Sequence, residues 1–236
     1  MNSLIILAGG LGKRAHQKDP KQFFLLDKEK KIRIMYLQYP YLDNKKHEFD
    51  EIIIVVPNGW KSIIQKEIKK ICSISRVIIG GKNRSESSYL GLQECSARCN
   101  NVLIHDAARP FVSEKIYQSC INYLNEYDAV IPIIEAKDTP LYIDSSQKNQ
   151  KSFFLNRESL KSIQTPQAFK YNCIKEAYDN KKQNKTDDLQ ILLDYKPNSK
   201  IQLISGEDKN FKITTERDIQ IIKALYKNSQ YEILYT

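Results

Sequence analysis

The residues best suited to chemistry lie in short clusters, each at the end of an apolar run. The first reads Gly9-Gly10-Leu11-Gly12-Lys13-Arg14, after Ala8, with Asp19-Pro20-Lys21-Gln22 soon behind it. Glycines let backbone N–H groups approach an anion, and a helix start favours negative charge, so this pattern suits a phosphate. It is neither common phosphate motif. A G-x-x-x-x-G-K-[ST] loop needs glycine where Leu7 stands and Ser or Thr where Arg14 stands. A G-x-G-x-x-G turn needs glycine in place of Ala15. On these residues alone, a plain strand-to-helix turn stays open. Three further clusters have the same character: Gly80-Gly81-Lys82-Asn83-Arg84, His105-Asp106-Ala107-Ala108-Arg109-Pro110, and Gly206 with Asn210-Phe211-Lys212-Ile213-Thr214. Singly each means little. Together at one edge of one sheet they suggest a phosphate-rich ligand held with a metal.

The elements that must position them are legible as short β-branched runs. Leu4 to Leu7, Glu51 to Val56, Arg76 to Ile79, Asn101 to Ile104, Asp128 to Ile134 and Ile201 to Ile204 read as buried strands. Helical spacing runs over Trp60 to Ile71, Ser87 to Cys95, Glu114 to Leu124 and Thr215 to Leu225. Such alternation predicts an α/β fold, a mainly parallel twisted sheet with helices on both faces. Ligands of these sheets sit beyond the strands' carboxyl ends, where the four clusters fall. The stretch from Lys137 to Arg157 breaks the alternation and reads as a projecting hairpin with its turn near Ser145 to Lys151. A two-stranded arm is marginal alone, so it needs a partner surface, for which a second subunit is a candidate.

Bulk composition narrows the classes. At 236 residues the chain suits one α/β domain over its whole length, and no apolar run reaches the ~20 residues of a membrane span. No basic segment followed by a long apolar stretch opens the chain, so a signal peptide is not expected and a cytoplasmic location is. Five cysteines are scattered; Cys95 and Cys99 would share a helix face, without a second pair at metal-binding spacing. The net charge of +9 comes from lysines spread among Glu, Asp and Asn, with no zinc-finger spacing or aromatic ribonucleoprotein motif. A solvated basic surface is expected, not a nucleic-acid interface.

The motifs LAGGLGKR, DPKQF, GGKNRSESSYLGL, HDAARPFV, KDT, LNRESLKSIQTPQAF, TDD and NFKITTERDI occur in an order that resembles the cytidylyltransferases making CDP-linked polyols. These comprise the 2-C-methyl-D-erythritol 4-phosphate cytidylyltransferases and the sister ribitol-5-phosphate group. The resemblance runs nearly end to end. It implies a Rossmann-like nucleotidyltransferase fold, a homodimer joined through the arm at about 137–157, and Mg2+-dependent transfer of CMP from CTP with release of pyrophosphate. It further implies that Arg14, Lys21 and Lys212 are catalytic cations. Ala8, Gly9, Gly10, Gly12, Gly80, Gly81, Arg84, Ser87 and Asp106 would bind CTP, and Asp106 would also support the metal. Thr139, Arg157 and Arg109 would bind the polyol phosphate, the arm's residues coming from the neighbouring subunit. His105 would support its loop and not take part in the chemistry. Nucleotidyl transfer fits such a set, because it needs positioning and neutralisation of spread charge more than covalent help.

The chain also departs from that pattern. Leu141 stands where the erythritol-phosphate group has a lysine, and Lys209 where some members have aspartate. Methylerythritol phosphate is the expected substrate, with ribitol 5-phosphate the alternative. A nucleotide- or nucleic-acid-binding relative without catalysis is the reading from another class.

Overall fold

The computed structural model describes residues 1–10, 20–30, 32–41, 49–144, 151–180 and 185–227. In chain order, β1 (Asn2–Leu7) is followed by a small antiparallel pair, β2 (Leu25–Asp27) and β3 (Ile32–Arg33), then β4 (Glu51–Val56), α1 (Lys61–Ile68) and β5 (Ser75–Ile79). Next come α2 (Arg84–Gln93), β6 (Asn101–Asp106), α3 (Glu114–Tyr123) and β7 (Ala129–Glu135). The arm strands β8 (Leu141–Asp144) and β9 (Lys151–Phe154) precede β10 (Lys161–Ile163), β11 (Gln167–Lys170), α4 (Tyr171–Asn180), α5 (Asp188–Tyr195), β12 (Ile201–Ser205) and α6 (Glu216–Lys227).

β1 is an inner strand of the sheet, between β4 and β6. It runs parallel to β4 with Leu4 opposite Ile52, and parallel to β6 with Leu4 opposite Leu103. The chain leaves β1 toward β4 and β5 on one side, then returns to build β6 on the other. This reversal opens a crevice at the carboxyl ends of β1 and β6, the usual ligand site of open α/β sheets. Strand register sets Leu7 opposite Asp106, so the first glycine cluster and the Asp106 cluster emerge side by side.

Alternation along β1 sorts the core into two layers. Leu4 and Ile6 pack with Ile64 and Ile68 of α1 and with Ile116 and Cys120 of α3. Ile5 and Leu7 pack on the other face with Leu92 of α2, Ile174 and Ala177 of α4, and Leu192 of α5. Helices on both faces explain why these strands are apolar throughout. A third cluster seats α6 through Ile219 and Ile222 against Phe111 and Ile213, which fixes the segment carrying Lys212.

The structure differs from the sequence expectation in three respects. β10 and β11 are antiparallel to their neighbours, and β11 fills the space between β6 and β7. Helices α1 and α2 are shorter or shifted, because Asn83 caps α2 by accepting the Glu86 N–H at 2.8 Å, starting the helix at Arg84. Cys95 and Cys99 share no helix face. α2 ends at Gln93, and the buried Glu51 carboxylate takes the Ser96 N–H at 2.8 Å, drawing the chain into a turn before β6. The arm pairs as expected, with Leu141 opposite Phe154, while its turn at 145–150 lies outside the described residues.

Candidate active site

Asp106 ends β6 and is the floor of the crevice. Its carboxylate is gripped by Lys212 Nζ at 2.5 Å on Oδ2 and by Arg84 Nε at 3.3 Å on Oδ1. Burial alone would push this carboxyl up, but Arg84 and Lys212, with Arg109 behind them, hold it well below the usual carboxylate range. The group is therefore a permanent anion facing cations. Its backbone is held equally firmly. The Asp106 N–H donates to Thr165 Oγ1 at 3.0 Å, and Thr165 Oγ1 lies 3.1 Å from Nδ1 of the fully buried His105. His105 Nε2 lies 3.0 Å from the Arg109 carbonyl, which can only accept, so Nε2 carries the proton and Nδ1 receives one from Thr165. Burial lowers the imidazole to about 4, keeping it neutral. His105 thus ties the Asp106–Arg109 turn together, as the resemblance implied.

One wall of the crevice is the start of α2. The Gly81 N–H donates to Ser87 Oγ at 3.1 Å and the Lys82 N–H to Glu86 Oε2 at 2.7 Å. A Cβ on Gly80 would stand 2.8 Å from Ser87 Oγ, and one on Gly81 would collide with the Glu86 side chain at 2.2 Å. The glycines are thus required by close packing of the loop on its own helix. The opposite wall is the exit of β1. There the buried Gln22 donates through Nε2 to both the Ala8 carbonyl at 2.5 Å and the Gly10 carbonyl at 2.9 Å. Both carbonyls are thereby occupied on the protein side, a preparation for an anion over the loop. Gln22 belongs to a 3-10 turn, Lys21–Phe23, that also aims Lys21 at the cavity.

The resulting cavity, about 950 Å³, is lined by Gly9, Gly10, Lys21, Gly80, Gly81, Arg84, Ser87, Asp106 and Lys212, all singled out in the sequence, together with Asn58, Lys82 and Thr214. Its size suits a nucleotide. Among the described residues no three His, Cys, Asp or Glu side chains are grouped to hold a metal. Asp106 is a hard carboxylate of the kind that would hold a magnesium ion, with substrate phosphates and water left to supply further oxygens.

Which nucleotide chemistry this is can be read from comparison with known proteins. Residues 3–228 match the family model described as IspD, 2-C-methyl-D-erythritol 4-phosphate cytidylyltransferase. The chain belongs to this family. A protein of that description from Clostridium botulinum (strain Loch Maree / Type A3) is 40% identical over 227 residues, covering 92% of this chain and 94% of that protein. One from Clostridium perfringens (strain SM101 / Type A) is 38% identical over 233 residues, covering 94% and 97%. The crystal structure of 4-diphosphocytidyl-2C-methyl-D-erythritol synthase from Anaerococcus prevotii DSM 20548 superposes with a TM-score of 0.81 at 29% identity, covering 96% of each chain.

Some cytidylyltransferase residues singled out in the sequence lie elsewhere. Gly12 and Arg14 fall outside the described residues. Ala8 is buried under the loop and contributes its carbonyl to Gln22. Arg109 is turned behind the floor, donating through Nη1 to the Asn210 carbonyl at 2.7 Å. Thr139 and Arg157 are exposed at the base of the arm, outside the cavity lining, and Arg157 Nη1 donates to the Lys137 carbonyl at 3.4 Å. Sequence reasoning quoted DPKQF and TDD without giving Gln22 or Asp188 a task. Their burial is what reveals them, since a buried amide or carboxylate must have partners.

Proposed function

We propose that this enzyme transfers CMP from CTP to 2-C-methyl-D-erythritol 4-phosphate, releasing pyrophosphate. The reading is carried by one observation. At the sheet's switch point, a cavity of nucleotide size has an ionised carboxylate, Asp106, on its floor between two cations, in a chain of the cytidylyltransferase family. An oxygen of the substrate phosphate attacks the α-phosphorus in line, and the bond to the β-phosphate oxygen breaks. Charge spread over the phosphate oxygens must be met by fixed cations. Lys21 and Lys212, both lining the cavity, supply these, with Arg14 as the expected third. Lys212 would trade its Asp106 contact for the α-phosphate when nucleotide arrives. Asp106 would hold a magnesium ion, which would add neutralising charge at the phosphates. Gly80, Gly81 and Ser87 shape the pocket for base and ribose.

The polyol phosphate is proposed to meet Arg157 and Thr139 from a second copy of the chain. Support for that dimer comes from the arm's apolar surface: Leu141, Tyr142, Ile143, Phe153 and Phe154 are 46–75% exposed, and Phe154 is the most open at 75%. An isolated hairpin with such a face needs covering.

The test is pyrophosphate release with CTP and Mg2+, methylerythritol 4-phosphate and ribitol 5-phosphate being assayed side by side. A clear preference for the first is expected, making Leu141 and Lys209 tolerated substitutions. Preference for ribitol 5-phosphate would overturn the substrate assignment, and release with neither would overturn the reaction.

A further inference from the structure

The buried face of α5 holds a carboxylate that the transfer reaction does not use. Asp188 is fully buried at the first position of α5. Its Oδ2 lies 2.6 Å from Arg84 Nη1, and its Oδ1 accepts the Tyr178 hydroxyl hydrogen at 2.5 Å. A buried ion pair of this kind is weak evidence for stability, since desolvation offsets much of the attraction. Its geometry therefore asks for another reason.

That reason lies at the other edge of the same guanidinium. Arg84 sits between two carboxylates, Asp188 behind it and Asp106 in the cavity. A free arginine beside a carboxylate prefers a bidentate fork that occupies both oxygens. Here Nη1 pairs with Asp188 and Nε meets Asp106 at 3.3 Å, unlike Arg33, which forks onto Glu67 through Nε and Nη2. Asp106 Oδ2 is left to Lys212, and through exchange to an incoming cation. Asp188 is itself aimed by neighbours. The helix start is fixed by Asp187, which accepts the Leu189 N–H at 3.0 Å, and by Gln167 Nε2, which donates to Asp187 Oδ2 at 2.6 Å. Tyr178, stacked on Tyr89 of α2 with ring centroids 6.1 Å apart, fixes the other oxygen.

We propose that Asp188 is a positioning residue for the nucleotide site: oriented by Tyr178, it anchors Arg84 through Nη1 and so fixes where Arg84 Nε meets Asp106 at the cavity. The inference rests on the cytidylyltransferase reading for its kinetic consequence, but not for its structural one. Released from Asp188, Arg84 would lose its anchored place beside Asp106 in the cavity lining, and the nucleotide site would be less well formed.

A double-mutant cycle between Asp188→Asn and Arg84→Gln tests this, read as kcat/KM for CTP and as affinity for CTP with Mg2+ by calorimetry. Asp188→Asn is expected to cost about 30- to 100-fold with Arg84 present and under about threefold in the Arg84→Gln background. Equal losses in both backgrounds would mean that Asp188 only supports the fold, and would overturn the proposal. Tyr178→Phe keeps the ion pair and the ring, which guards against an unfolded Asp188→Asn variant; about a threefold loss is expected, and an unchanged kcat/KM would count against the proposal. Nitrogen-15 relaxation of the Arg84 Nε–H gives a readout that needs no turnover. The Arg84 Nε–H should be rigid in the parent chain and mobile or shifted in both variants; an identical signal in all three overturns the proposal. An inactive parent enzyme with the expected Arg84 changes would instead sink the functional reading alone.

Discussion

Lys21 and His105 serve the site in different ways, Lys21 at the cavity wall and His105 buried behind its floor. Lys21 stands at the cavity wall on a turn braced by Gln22, so its charge is placed before the reaction begins. Lys21→Ala should lower kcat by about a thousandfold or more with the circular dichroism spectrum unchanged, because the lost interaction belongs to the transition state. A near-normal rate would remove Lys21 from the triphosphate. His105 contributes through protonation of the folded chain. Its folded value of about 4 lies below the ordinary 6.5, so between these pH values the unfolded chain binds the extra proton. Stability from this group is present above pH 6.5 and is lost as pH falls toward 4, by about 1.4 kcal/mol per unit and about 3 kcal/mol in all. Asp106, held low by Arg84 and Lys212 against its burial, gives up its share only below the ordinary 3.8. Urea unfolding at pH 7.0, 5.5 and 4.5 checks the prediction. The parent chain should lose stability across this range and His105→Gln much less; parallel losses would mean that His105 is not the group responsible.

The elements carry these residues to one another, and some were far easier to read than others. β1, β4 and β6 are visible as unbroken runs of Ile, Leu and Val because both faces of each are covered. The glycine clusters at their ends follow from that reading. β10 and β11 are not visible, since Lys161-Ser162-Ile163 and Gln167-Ala168-Phe169-Lys170 are short, mixed in polarity and divided by Pro166. The TDD segment that leads into α5 has no legible task in the sequence, because nothing local says that Asp188 ends beside Arg84, 104 positions away. Pairings of that kind exist only once α4 and α5 have packed on the sheet. The packing of α2 on β1 is close at Gly91. A Cβ on Gly91 would lie 2.7 Å from Ile5 Cγ2 and 3.2 Å from Ile5 Cδ1, both atoms fixed in a buried strand. Gly91→Ala should therefore destabilise the fold by about 1–3 kcal/mol, although alanine is the better helix former by about 1 kcal/mol. Because α2 begins with Arg84 and includes Ser87, lifting it should also raise KM for CTP. Thermal unfolding and KM measured together decide this, and a stabilised variant with unchanged KM would show that α2 has room to move.

At the scale of the whole molecule, the cavity gathers residues expected to bind nucleotide but not Arg157 and Thr139, expected to bind the acceptor. Lys21, Arg84, Asp106 and Lys212 line one cavity, whereas Arg157 and Thr139 stand at the foot of an apolar arm whose Phe154 is 75% exposed. If a twofold dimer covers the arm, each arm serves the other subunit's cavity, and a site is built from two chains. Two defects then complement each other. Lys21→Ala removes the nucleotide cation and Arg157→Ala the acceptor cation, so each homodimer is impaired at both of its sites. In an equimolar mixture refolded or exchanged to equilibrium, half of the dimers pair one defect with the other. Each such heterodimer holds one site with Lys21 from one chain and Arg157 from its partner, and one site lacking both. Activity should return to about a quarter of the parent value per chain, one good site in two for half of the dimers. If Arg157 acted on its own chain's cavity, every site in the mixture would stay defective and no activity would return. Sedimentation of each variant before mixing separates this outcome from loss of the dimer itself. A monomeric parent chain with full activity would refute the shared site outright.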